Sequence, residues 1–510
     1  PARPPLDLSL PSLNNTMPKK VAIVMEGSRG DIQPYLVAAL SLKEAGYSVL
    51  VLGPSDCAPF AAQFGLDYFD HYTINTKAVC QSEAYAEAYT SNNFFKLTQC
   101  MAATKDPLRA EFVGRMAAVL KNFQPDLIIG CYLVICDCLC MGLALQTPVL
   151  FLGLQVMIAS NHLAAFGMFP KLPAFMNMNL RLWHWLSEHF ANELNKSSAP
   201  IIEKLMQMPR EDFTPTMEEF LNICSCSAKY PVLLAASPTL HAPLPPDFNS
   251  NVHALGALFL DTKEQTGPEF GGAELKAMDD FLAAGDAPVY IGYGSMTCNN
   301  GKFMSLLSLR ALMATGERGI VLSGWAKMST DFEGEPDAAA LQAYCKEKVL
   351  FMDTAPHGVL FPRCKVIVHH GGAGTFNASV LSGVPTVVVP IFLDQYYHST
   401  MANERGFGIG LKAMSSTTPA ELAAAIRKCI DSPEIRQTAS TVAKDMAKEN
   451  GAAAFVQQID RFMEEYVDTG RYLKERDELR KEIKDNSWKN MALNFLARFN
   501  CCCEREQSIG

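Results

Sequence analysis

The stretch from Val366 to Gly410, VIVHHGGAGTFNASVLSGVPTVVVPIFLDQYYHSTMANERGFGIG, leaves the chain few ways to fold. Val366-Ile367-Val368 is a short β-branched apolar run, as a strand buried on both faces requires. His369-His370-Gly371-Gly372-Ala373-Gly374-Thr375 follows. Three glycines in four positions let a backbone turn sharply and come close to a ligand. Thr375 to Leu381 suits a helix, ended by Gly383 and Pro385. Val387 to Ile391 reads as the next buried strand, and a polar loop with Asp394-Gln395 follows. A glycine turn opening a helix after a parallel strand is where a phosphate binds, because free N–H groups and the positive end of the helix dipole point at it. An ordinary tight turn is the competing reading of such a motif. The paired histidines and the Asp-Gln pair favour a ligand: a His N–H suits a diphosphate, and Asp-Gln suits sugar hydroxyls.

A second strand–turn–helix opens the chain. Val21 to Met25 is apolar, Gly27-Ser28-Arg29-Gly30-Asp31 is the turn, and Pro34 precedes an amphipathic helix from Tyr35 to Glu44, closed by Gly46. Ser48 to Leu52 is the following strand. Such a βαβ start places its loop at the carboxyl edge of a sheet, where open α/β folds bind ligands. By spacing alone Gly27 and Gly30 read as plain turn glycines, and Asp31 as a helix N-cap.

HHGGAGT, GVP and VVVPIFLDQ, together with GSRGDIQPYLVAALSLKEAGYSV, resemble the signatures of nucleotide-sugar glycosyltransferases of the GT-B fold. The resemblance is nearest to sterol and lipid glucosyltransferases and bacterial antibiotic glycosyltransferases. Phe376 stands where that family has a second Thr of HHGGAGTT, and Leu393 where it has the Gly of PFFGDQ. Pro288 to Met296, PVYIGYGSM, and Gly319 to Trp325, GIVLSGW, resemble further donor-domain segments. Pro356-His357 and Leu360-Phe361-Pro362 resemble PHDWLFPR, with Gly358-Val359 for Asp-Trp. The resemblance runs from about Lys20 to Glu465 and is strongest in the first and last thirds.

It implies an α/β chain of two Rossmann-like, doubly wound parallel-sheet domains facing a cleft, with a C-terminal helix crossing back to the first. The expected division is a tail at 1–19, an acceptor domain at 20–262, and a linker with its lead-in helix at 263–287. A nucleotide-sugar domain follows at 288–440, then crossing-back helices at 441–465 and a helical, Cys-ending tail at 466–510. It further implies an inverting transfer of a hexose, expected to be glucose, from a UDP-sugar to a hydroxyl of a hydrophobic acceptor such as a sterol or other lipid. Asp31 is the expected general base. Ser28 and Arg29 are expected near the diphosphate or acceptor, and Gly294, Ser295, Trp325 and Ala355 around the nucleotide. His370, Gly372, Gly374 and Thr375 are expected at the diphosphate, and Asp394 and Gln395 at the sugar; His369 is expected to be packed or capping. No cofactor is implied beyond the donor, and no D-x-D triplet suggests a bridging metal. A UDP-sugar or lipid sensor that has lost catalysis, or a UDP-sugar 2-epimerase, would share the fold.

With 510 residues the chain has room for two cores, and its net charge of −9 gives no basic footprint for nucleic acid. Many of the 16 cysteines sit in apolar runs (Cys131, Cys136, Cys138, Cys140), as buried thiols do. With a sequon at Asn377 inside the phosphate helix, this points to a reducing, cytoplasmic setting; a monomer is expected. Leu127 to Ala159 is almost uncharged, but it divides into strand, helix and strand, each too short to span a bilayer. Gln155 to Phe190, rich in Met and aromatics, reads as a pair of core helices that also lend walls to an apolar acceptor pocket. Lys229 to Ser237 reads as the last strand of the first domain, and Asp261 to Gly272 as the linker. Beyond the resemblance, Arg471 to Lys484 is a charged helix and Trp488 to Phe499 an amphipathic one. Cys501-Cys502-Cys503 make the tail a candidate for S-acylation and peripheral membrane contact; spare thiols on a plain tail are the other reading.

Overall fold

The computed structural model describes residues 17–72, 76–195, 198–265, 267 and 270–486. The expected N-terminal tail up to residue 16, the amphipathic segment at 488–499 and the Cys triplet lie outside the described residues.

Two parallel sheets form the core. The first holds β1 (Lys20–Val24), β2 (Ser48–Pro54), β3 (Asp67–Tyr72), β4 (Leu127–Gly130), β5 (Val149–Gly153), β6 (Val232–Leu234) and β7 (Val252–Ala254) in the order β3-β2-β1-β4-β5-β6-β7. The second holds β8 (Val289–Gly292), β9 (Gly319–Leu322), β10 (Val349–Met352), β11 (Val366–His369), β12 (Thr386–Val388) and β13 (Gly408–Gly410) in the order β10-β9-β8-β11-β12-β13. Each order reverses once, between β1 and β4 and between β8 and β11. A crevice opens at the carboxyl edge of such a reversal because the flanking connections leave in opposite directions. The motif loops after β1, β8 and β11 therefore all start at a crevice.

Central strands are apolar throughout because helices cover both faces. Leu127 to Gly130, Val149 to Gly153 and Val366 to His369 are buried at every position. The uncharged region around Leu127 is thus core strand, the helix Ile135–Ala144, and core strand again. Among the described residues, no helix is long and apolar enough to cross a membrane, and the cysteines are free.

Several expectations need correction. The first helix, α1 (Arg29–Glu44), begins before Pro34 rather than after it. Ser28 starts it, and Pro34 within its second turn gives up the bond to the Gly30 carbonyl and crowds it. Residues 155–177 are not a core helix: they form a strap of short turns, with Phe166 at φ 50°, ahead of the single helix Met178–Asn195. Its apolar content reflects side chains that anchor a loop rather than a helical stripe. β6 is not the last strand, since Val252–Ala254 adds β7 at the edge. The segment after Asp394 is helical, Gln395–Arg405. β3 and β13 are short edge strands, whose alternation over three to six residues carries little sequence signal.

After the second sheet the chain returns to the first domain, as the resemblance implies. Gly451 opens the helix Gly451–Phe462 so close to the loop after β7 that a Cβ there would stand 2.6 Å from the Gly256 carbonyl. The Tyr47 hydroxyl donates to Asp460 at 2.6 Å. The helix at 471–486 continues over the first domain: Tyr472 donates to the Val149 carbonyl at 3.3 Å, and buried Arg476 reaches Gln146.

Candidate active site

The donor turn is built from β11. Gly371 takes φ 94°, a region that side chains disfavour, and so redirects the chain. Gly372 then begins the helix Ala373–Leu381 without a capping side chain, which leaves the first-turn amides to a ligand. His369 is fully buried. Its Nδ1 accepts from the Gly371 amide at 2.9 Å, and its Nε2 meets Thr386 at 2.8 Å and Ser379 at 3.1 Å. It holds the turn in shape and is packed, as expected.

His370 takes the other role. Its ring fills the space between two glycine loops. A Cβ on Gly372 would collide with its Nε2, and one on Gly294 would stand 3.3 Å from its Cε1. Nδ1 is buried without a hydrogen-bond partner. Burial, then the neighbouring His398, lowers its pKa to about 4. At neutral pH it is an uncharged imidazole able to donate one N–H, not a cation. Gly294 also receives the backbone of Trp325, whose N–H donates to the Gly294 carbonyl at 3.0 Å. Trp325 is half-buried, Ala355 is buried before Pro356, and Thr375 is half-buried in the first helical turn.

Asp394 starts the helix Gln395–Arg405. Burial, then the charge of Asp31, raises its pKa to about 7, against opposing backbone hydrogen bonds. Asp31, on the facing domain, is the charge that adds to this shift. Gln395 is also tied to its own loop: its Oε1 accepts from the Ile391 and Phe392 amides at 2.8 and 3.0 Å. It fixes the loop that presents Asp394, and only its amide nitrogen is left for a sugar. Leu393, where the resembled family has Gly, sits at φ 48°. A left-handed leucine costs about 1–2 kcal/mol, so the surrounding packing imposes this turn.

On the facing domain, Asp31 lies in the first turn of α1. Its Oδ2 accepts from the Ser28 amide at 2.8 Å and the Ser28 hydroxyl at 3.1 Å. Burial raises its pKa; the Ser28 hydrogen bonds oppose this and the Glu26 charge adds to it. A raised pKa makes the carboxylate a stronger base. Gly27 is required beside it: at φ 128°, a Cβ there would stand 2.6 Å from Asp31 Oδ2. Arg29 turns to the linker, its guanidinium 4.3 Å from the ring centroid of Phe270 and 5.6 Å from that of Phe60.

The halves meet at atomic contact. The Ser295 hydroxyl donates to that of Ser28 at 3.1 Å. A Cβ on Gly374 would stand 3.1 Å from the Gly30 carbonyl, which Pro34, lacking an N–H, does not bond. Gln81 donates to the Trp325 carbonyl at 2.6 Å, and the Asn299 amide to Thr90 at 2.7 Å. Asp31, Ser28, Ser295, His370 and Gly374 thus lie where the two domains meet. Sequence reasoning missed Gln81, Thr90 and Gly167, which lies against Leu393 and Asp394. Their only sequence signal is residue type within unmotifed stretches. Among the described residues, no cluster of three or more His, Cys, Asp or Glu could hold a metal ion.

Comparison with known proteins bears on this geometry. Residues 336–462 match the family described as erythromycin biosynthesis protein CIII-like, C-terminal domain. Over 460 residues the chain is 27% identical to the sterol 3-beta-glucosyltransferase UGT80A2 of Arabidopsis thaliana, covering 86% of this chain and 65% of that protein. Over 448 residues it is 24% identical to the sterol 3-beta-glucosyltransferase of Vanderwaltozyma polyspora, covering 84% of this chain but 33% of that one. The chain therefore spans about two thirds of the plant relative's length and one third of the yeast relative's. The crystal structure of the glycosyltransferase VinC in complex with dTDP superposes with a TM-score of 0.54 at 18% identity, covering 87% of this chain and all of that one. The fold is GT-B, and over most of its length the sequence is similar to sterol glucosyltransferases.

Proposed function

We propose that the chain is an inverting, UDP-dependent hexosyltransferase that moves glucose to a hydroxyl of a sterol or similar hydrophobic acceptor. The observation that carries this reading is the placement of Asp31 across the cleft from the donor turn, with Gly30 against Gly374 and Ser28 bonded to Ser295. The similarity to sterol glucosyltransferases supports the acceptor and donor classes.

In this reading the UDP diphosphate lies on the amides that open Ala373–Leu381, and His370 donates an N–H to it. Asp394 binds a sugar hydroxyl, and Gln395 holds the loop that aims it. The acceptor oxygen attacks C1 from the face opposite the diphosphate. The new O–C1 bond forms as the bond from C1 to the diphosphate oxygen breaks, and the hydroxyl proton passes to Asp31. A single displacement inverts C1. Charge developing on the leaving diphosphate is met by the helix N-terminus and the neutral His370 N–H, both in place beforehand. The donor needs no further cofactor.

The test is UDP release from UDP-glucose with sterols, other lipids and phenolics, on wild type and Asp31→Asn. Release that requires an acceptor and collapses in the variant supports the proposal. Binding of UDP-glucose with no release in either protein would make the chain a sensor, and turnover of the donor without acceptor would point to an epimerase.

A further inference from the structure

Seven large apolar side chains are exposed among the described residues, and four of them fall between 175 and 185. Phe175 is 71% exposed, Met176 60%, Trp185 55% and Met178 40%. A soluble surface scatters such residues singly; gathered within eleven positions they mark an interaction face. They are presented by a fixed scaffold. Fully buried Asn179 accepts from the Leu172 amide at 2.6 Å and donates to the Asn161 carbonyl at 2.9 Å. Asn161 in turn donates to the Ala174 carbonyl at 2.7 Å. On the helix Met178–Asn195, Trp183 and Leu186 face the core, which turns Met178, Arg181 and Trp185 outward.

We infer that this face docks on an anionic lipid bilayer. Three observations select that occupant. First, the residue types are those of an interfacial anchor: Trp and Phe with Met, flanked by exposed Lys171 and Arg181. Second, the strap brings positive but no negative charge: no Asp or Glu occurs between Asp137 and Glu188, whereas Lys171 and Arg181 are exposed beside the apolar residues, which suits a negative lipid surface; exposed Glu188, one turn beyond Trp185, marks the edge of the face. Third, the same strap reaches the cleft: a Cβ on Gly167 would stand 3.2 Å from the Leu393 carbonyl, beside Asp394. Within ten residues the chain passes from the sugar-facing loop to the apolar face, so a bilayer seated there holds its lipids near the mouth of the acceptor side. Only that last consequence rests on the proposed function; docking itself does not.

The full chain, made without acylation, is floated with vesicles of phosphatidylcholine alone and of equal parts phosphatidylcholine and phosphatidylserine, with no UDP-glucose present. The wild type is expected to float with the anionic vesicles and to be released by salt. The double variant Phe175→Glu, Met176→Glu is expected to bind about tenfold or more weakly, with an unchanged melting temperature. As a second reading, acyl-brominated lipids should quench wild-type tryptophan emission, and Trp185→Phe should remove most of that quenching while still floating. Wild type that stays in the dense fraction, equal binding to both vesicles, or variants that float like wild type would each overturn the inference. So would a dimer in lipid-free buffer that the double variant dissolves, which would make a second copy the occupant. Loss of UDP release with docking intact would count against the proposed function alone.

Discussion

The Ser295 hydroxyl of the nucleotide-sugar domain donates to the Ser28 hydroxyl at 3.1 Å, and Ser28 donates on to Asp31 at 3.1 Å. One hydroxyl therefore links the two domains and, against the larger effect of burial, lowers the pKa of the carboxylate expected to take the acceptor proton. Ser28→Ala removes one of the bonds that lower the Asp31 pKa. The acid limb of the pH profile of UDP release should move to higher pH, and Ser295→Ala should move it less. Coincident profiles for Ser28→Ala and wild type would disconnect this bond from catalysis.

Asp31→Asn keeps the shape of the carboxyl and removes its proton affinity. Loss of a general base costs about 10²–10⁴ in rate. The fall should appear in kcat, with KM for UDP-glucose nearly unchanged, because the proposed donor turn lies on the opposite domain. A variant that lost donor affinity and kept kcat would place Asp31 in binding instead.

Two alanine substitutions in the donor turn should separate its roles. A Cβ on Gly372 collides with His370 Nε2, whereas one on Gly374 bears on the Gly30 carbonyl. Gly372→Ala should weaken UDP binding by roughly tenfold, as ligand geometry on this scale dictates. Gly374→Ala should lower kcat more than affinity, by holding Asp31 away. Calorimetric titration with UDP beside steady-state kinetics checks the split.

Asp394 gives a signed dependence of stability on pH. Its folded pKa of about 7 lies above the usual carboxylate value, so between these values the folded state binds more protons than the unfolded state. The stability this contributes is complete below about pH 4 and is lost as pH rises through 7. Asp394→Asn removes that loss. It should be more stable than wild type by about 1–3 kcal/mol at pH 8 and nearly equal to it at pH 4, with donor turnover reduced. Melting curves at the two pH values check this; a variant less stable at pH 8 would refute it.

UDP release should proceed in EDTA, because in the proposed reading the helix N-terminus and His370 meet the diphosphate. Turnover lost in EDTA and restored by magnesium would count against this.

The sequence by itself determined the two glycine turns, the buried strands around them and the parallel α/β architecture. Runs such as Val366-Ile367-Val368 satisfy only a strand covered on both faces, and glycines at 371 and 372 only a turn without room for side chains. These are local demands, written in residues a few positions apart. What only tertiary structure decided is how distant segments complete the site. Asp394 owes part of its raised pKa to Asp31, far away in sequence, and the Oε1 of Gln395 is taken by the amides of Ile391 and Phe392. The apolar run at 155–190 had two fates under one composition: Phe166 and Trp183 went into the core, while Phe175 and Trp185 were left outside. Hydrophobicity states that a side chain gains by leaving water; which neighbours it leaves water with depends on the packing of the whole chain.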